Sequence, residues 1–130
     1  MLLRKPLLIL LFLPLYSLAQ NRYDVVIDEI MADQTPQISL PSNEWLELKN
    51  VSANPINLLN WRIGDAAGQT GPMPNFVLQP DSFVIICSNG SAIQFSPFGP
   101  TIGISNFPSL DNDAELIYLR SKENRTIHVC

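Results

Sequence analysis

The chain has 130 residues, with 8 Lys+Arg against 12 Asp+Glu, a formal net charge of -4 and 46% hydrophobic residues, which fits one compact domain with its own core. It carries no basic run, so the counterion release that drives most nucleic-acid binding is missing and anionic membrane surfaces are disfavoured. Two cysteines and one histidine do not suffice for a closed zinc site.

The first stretch stands apart from the domain. Arg4 and Lys5 form a short positive segment, Leu7 to Leu15 is nearly pure hydrocarbon, and Ser17-Leu18-Ala19 puts small residues where a signal peptidase reads. The expectation is a signal peptide over 1–19, cleaved after Ala19, and a mature domain over 20–130 that is secreted, periplasmic or on the cell surface. Pro6 to Ala19 falls short of the ~20 apolar residues a membrane span needs. Losing Arg4 and Lys5 takes the charge from -4 to -6.

From Asn21 onward the pattern is one of strands and turns, with no helical period. Tyr23 to Ala32 (YDVVIDEIMA) is rich in β-branched and apolar residues and reads as a first strand, and Asp33 to Ser42, with two prolines, as a loop. In Glu44 to Val51 the residues alternate, with Trp45, Glu47 and Lys49 on one side and Leu46 and Leu48 on the other. That is the period of a half-buried strand. Ser52-Ala53-Asn54-Pro55 is a turn. Ile56 to Gly64 restarts the apolar run and carries Trp61, expected as an aromatic plug of the core.

Asp65 to Pro74 is a Gly, Ala and Pro loop, and Phe76 to Leu78 a short strand. Gln79-Pro80-Asp81-Ser82 is a turn with its proline preset. Phe83 to Cys87 (FVIIC) reads as a central strand buried on both faces. Ser88 to Leu110 is irregular, with three prolines, three glycines and the rings of Phe95, Phe98 and Phe107, and is too apolar for a disordered linker. The three rings form either an exposed contact surface or a satellite cluster folded over one end of the sandwich. Asp111-Asn112-Asp113 is a turn, Glu115 to Arg120 a strand, Lys122-Glu123-Asn124 a hairpin turn, and Thr126 to Val129 the start of the last strand. Seven or so short strands with this punctuation predict an all-β, immunoglobulin-like antiparallel β-sandwich, its core marked by Trp45, Leu46, Leu48, Trp61 and Leu116.

Catalytic chemistry has little to stand on. His128 is the single histidine, no Gly-x-Ser-x-Gly turn or phosphate loop occurs, and Asp28 and Glu29, as strand neighbours, face opposite sides. Neither catalytic residues nor a cofactor are expected. Asp111, Asp113 and Glu115 alternate through one turn and strand start, so their oxygens could converge on calcium, with Asp28 or Glu44 adding to them. Asp-Asn-Asp is equally ordinary hairpin chemistry. Cys87 and Cys130 could bridge in an oxidising compartment, or Cys87 could remain a buried free thiol. The sequons beginning at Asn50, Asn89 and Asn124 read as surface turns.

In chain order, Asp28-Glu29-Ile30-Met31, then Glu44-Trp45-Leu46-Glu47-Leu48-Lys49-Asn50, then Ile56-Asn57-Leu58 leading into Trp61, then Leu78-Gln79-Pro80, resemble the lamin-tail domain. Leu110-Asp111-Asn112-Asp113 ahead of Leu116-Ile117-Tyr118-Leu119 is similar to it too. The resemblance spans roughly 25–129 and implies an immunoglobulin-like sandwich without enzyme activity, presumed in its secreted bacterial members to serve attachment or interaction. With the signal peptide, this chain resembles those members. The family's last strand normally runs on to an aromatic residue, whereas here Val129-Cys130 stops short, so a truncated edge that pairs with another chain is expected. No heptads occur, so the coiled-coil assembly of lamins is not implied. The expected function is a non-catalytic secreted or surface interaction module whose partner is a protein or envelope component. The alternative is a structural accessory segment of a larger secreted protein, with a hydrolase a distant third.

Overall fold

The computed structural model describes residues 20–32, 39–110 and 116–130. Among them nine strands alternate with turns: β1 (Val25–Met31), β2 (Trp45–Asn50), β3 (Ile56–Asn57), β4 (Arg62–Gly64), β5 (Val77–Leu78), β6 (Phe83–Ser88), β7 (Thr101–Ile104), β8 (Tyr118–Arg120) and β9 (Thr126–Val129). One short helix, α1 (Ala92–Phe95), lies between 3-10 turns at Asn89–Ser91 and Ser96–Phe98.

The strands form one sheet in the order β1-β2-β6-β7, a second of β3-β5, and a third in the order β4-β8-β9. The four-stranded sheet packs its inner face, Val25, Ile27, Leu46, Leu48, Val84, Ile86, Ile102 and Ile104, against Ile56, Leu78, Ile63, Leu119 and Ile127 of the other two and against Leu58 just after β3. Trp61 fills the space between the layers at 1% exposure. The immunoglobulin-like sandwich read from the alternation is therefore the architecture.

Departures from the expected pattern have local causes. The pairing is antiparallel except for β6 with β7, which are parallel, Ile85 beside Thr101 and Ser88 beside Ile104. A parallel pair needs a crossover of about a dozen residues, and residues 89–100 supply it. The segment 88–110 is thus helix and strand as well as loop. α1 lays Phe95 over the outer face of the four-stranded sheet, where it meets Trp45, Ile85 and Cys87 in a second cluster. Trp45 is buried, but on the face opposite Leu46 and Leu48. Just before β8 the core position is Ile117, 5% exposed, while Leu116 is 53% exposed. Leu116 is therefore not a core residue, because the backbone N–H and C=O of Ile117 pair with Cys130 and turn its side chain inward.

The turns follow their chemistry. Ser82 N–H donates to the Gln79 carbonyl across Pro80-Asp81, with Asp81 at φ 59°. Trp61 N–H donates likewise to Leu58 across Leu59-Asn60, with Asn60 at φ 62°. Asp and Asn are the residues that tolerate this left-handed region, and a β-branched side chain at either place would be strained.

Candidate functional site

The calcium candidates Asp111, Asp113 and Glu115 lie outside the described residues. Of the two side chains expected to join them, Glu44 uses its Oε2 to accept the Leu110 N–H at 3.1 Å. Asp28 sits at the β1 bulge between Ile27 and Glu29, close enough to Glu47 to raise its pKa. Glu44 and Glu47 are three strand positions apart, about 10 Å, so Asp28 and Glu44 do not converge. Among the described residues no group of three His, Cys, Asp or Glu side chains could hold a metal ion.

The three rings proposed for a contact surface separate. Phe95 is 1% exposed and belongs to the satellite cluster with Trp45, whose ring centroid is 6.2 Å away. Phe107 is partly buried against the main core, and Phe98 remains open at 48%. Only Phe98 is available for contact, since the crossover had to bury an aromatic to cover the exposed face of Trp45. The indole Nε1 of Trp45 is buried there without a hydrogen-bond partner.

His128 acts within the fold. Its Nδ1 accepts the Ile27 N–H at 3.0 Å, which places the proton of the neutral ring on Nε2. The imidazole thus ties β9 to the free edge of β1 at the bulge, assisted by Tyr23, whose N–H donates to the Ile127 carbonyl. The Tyr23 ring meets the imidazole edge-on at 5.9 Å, and the Arg22 guanidinium lies 5.5 Å from the centre of the Tyr23 ring. Burial pushes the His128 pKa below its usual value. The unfolded chain therefore takes up the proton first, so stability present above pH ~6.5 is lost as pH falls toward the folded value. Thermal melts between pH 7.5 and 5.5 are expected to show this decline, and His128→Gln, which keeps a neutral acceptor, is expected to flatten it. Equal slopes would remove His128 as the cause. Glu47 works in the opposite sense, its pKa raised by burial and by Asp28 and Glu29, so acid below that window relieves it.

Two open clefts flank Pro108-Ser109. One, about 420 Å3, is lined by Ser42, Asn43, Glu44, Ser88 and Ser91 among others, and the second, about 360 Å3, by Asp65, Gly68, Gln69 and Asn106. The Ser88 and Ser91 hydroxyls bond to each other at 2.8 Å, and neither is paired with a base that would activate it. Cys87 and Cys130 are both free, and burial pushes the Cys87 thiol up to about 11, so it stays protonated and inert. No described helix is long and apolar enough to cross a membrane.

Asn50, read as the start of a surface sequon, is fully buried, and its Nδ2 donates to the Asn54 and Leu78 carbonyls at 2.8 and 2.9 Å. A sugar there would displace both bonds. Asn89 and Asn124 are exposed.

Sequence reasoning missed the way folding sorts charge. Arg62 and Arg120 face each other across β4 and β8, on the side opposite the buried Ile63 and Leu119. Glu29 and Glu47 face each other across β1 and β2 on the outer side of the other layer. The lack of a basic run along the chain did not prevent a basic face. Strand parity held the signal, because Arg62 and Arg120 each adjoin an inward apolar residue.

The immunoglobulin-like β-sandwich defines the class of this protein. The Lamin Tail Domain family matches residues 19–130, and the chain belongs to that family. A comparison with curated proteins finds no match.

Proposed function

We propose that this chain is a non-catalytic interaction module of the secreted bacterial type, presented outside the cytosol after cleavage at Ala19. The observation that carries the reading is how the polar groups are spent. His128, Glu44, Ser88, Ser91 and Asn50 are each engaged in holding the fold, whereas the arginines, the acidic strand pair and Phe98 face outward. A surface that keeps its charges outward and uses its one imidazole as a strand tie is built for contact with a partner rather than bond breaking. The family's immunoglobulin-like, non-enzymatic character supports the same reading.

The test is capture from the envelope fraction of the producing cell with the tagged protein as bait, together with mass determination of the exported chain. A specific partner and an N-terminus at Gln20 are expected. Retention in the cytosol with the leader intact, or no partner above background, would sink the proposal.

A further inference from the structure

Charge is segregated between the two layers. On the outer face of the four-stranded sheet, Glu29 stands directly opposite Glu47 with Asp28 beside them. On the outer face of the β4-β8-β9 sheet, Arg62 stands directly opposite Arg120. Like charges directly opposite on a sheet are destabilising, so each face carries a cost that the isolated chain does not relieve. The faces point away from each other across the sandwich, so one copy cannot bring them together.

Among the described residues no ion pair engages an arginine. Among the described residues the ion pairs are Lys49 with Asp81 at 3.7 Å and Lys122 with Glu123 at 3.8 Å, and Arg22, Arg62, Arg120 and Arg125 take part in neither. Arg120 lies 5.4 Å from the centre of the Tyr118 ring, and its Nη1 reaches only Asn124 Oδ1 at 3.5 Å. Its Nε is buried with no partner. Arg62 Nη1 donates to the Thr70 carbonyl at 2.7 Å, which holds the guanidinium in place. Tyr118 pairs with Gly64, so no side chain of β4 stands directly opposite the tyrosine. Two guanidinium forks held side by side match a pair of carboxylates held side by side.

We propose that the arginine face of one copy docks on the Asp28, Glu29 and Glu47 face of a second, so that the domain associates with itself head to tail. This rests on the interaction-module reading and names the partner class as a second copy. Because two different surfaces meet, the contact is heterologous and repeats from copy to copy. Charge complementarity argues for this occupant: Glu29 stands opposite Glu47 and Arg62 opposite Arg120, and both like-charged pairs are relieved by the same contact. Lys49, adjacent on the acidic face, and the net negative charge of the chain oppose it, so the association grows with concentration.

Sedimentation velocity on the protein at about 0.1 M salt, where screening extends about 10 Å, is the test. The mean mass is expected to climb with concentration and to return to that of one copy near 1 M salt. Arg62→Glu with Arg120→Glu is expected to stay monomeric, as is Glu29→Arg with Glu47→Arg. Mixed in equal amounts, the two reversed proteins are expected to associate again, because every acidic face of one then meets a basic face of the other. Melting curves check that the variants fold, and the milder Arg62→Gln with Arg120→Gln is expected to weaken association about tenfold. Constant monomer mass for the unmodified protein, association unchanged by the glutamines, or a mixture that stays monomeric would each overturn the inference. A monomeric protein that still captures an envelope partner defeats this inference and leaves the module reading standing.

Discussion

Trp61→Ala is expected to lower stability by about 3–5 kcal/mol, the range for removing a buried indole. Trp61 is 1% exposed and sits among Ile63, Leu58, Met73 and the inner face of the four-stranded sheet. Its backbone is held as firmly as its ring: its N–H donates to Leu58 and its carbonyl accepts from Met73. The surroundings cannot collapse into the space, so the cavity term adds to the transfer term. Domains of this size have about 5–15 kcal/mol in total, and the loss corresponds to a fall in Tm of roughly 13–20 °C. Urea titration with an unchanged m-value would assign the effect to the folded state. A loss below about 1 kcal/mol would mean that the layers are not held apart by this ring.

The sequence disclosed the sandwich and its principal core because alternation is a local signal. Leu46 and Leu48 fall inward as their spacing requires, and the turns at Pro80-Asp81 and Lys122-Glu123 lie where their residues put them. Where the reading failed, the deciding contact was remote. The face of Trp45 is covered by Phe95, fifty residues later in sequence, through a one-turn helix too short to show a helical period. Thr101–Ile104 lies in a proline-rich stretch and becomes a strand only because β6 offers a parallel edge. Leu116 and Ile117 are equally apolar, and only the pairing of Ile117 with Cys130 decides which points inward.

The outer faces were hidden for the same reason. Arg62 and Arg120 are 58 positions apart in the numbering, and nothing local to either announces that the other stands opposite. A sum over composition gives an acidic domain with no basic feature, whereas strand pairing gives two faces of opposite sign. Net charge describes solubility and long-range steering, and the face-level pattern describes contact.

Asn50 carries the second large expected effect, and it shows how a polar residue can be as structural as an indole. Its side chain is wholly buried and uses its full bonding capacity: Nδ2 donates to the Asn54 and Leu78 carbonyls, and Oδ1 accepts from the N–H and hydroxyl of Ser52 at 2.9 and 2.7 Å. Its main chain pairs with Ser82 and Asp81. One residue thus locks the end of β2 to the 52–55 turn, to β5 and to the 79–82 turn. Asn50→Leu keeps the volume but strands the Leu78 carbonyl and the Ser52 N–H, each costing about 1–3 kcal/mol when buried, so a loss of roughly 3–5 kcal/mol is expected. Asn50→Asp is expected to be at least as damaging at pH 7, since it turns an oxygen toward two carbonyls and buries a charge. The aspartate variant should recover stability as pH falls below about 5, because the protonated carboxyl restores one donor. Melts of both variants across pH separate the causes: a leucine variant that loses less than about 1 kcal/mol, or an aspartate variant with no acid recovery, would show that the network does not hold this corner of the sandwich.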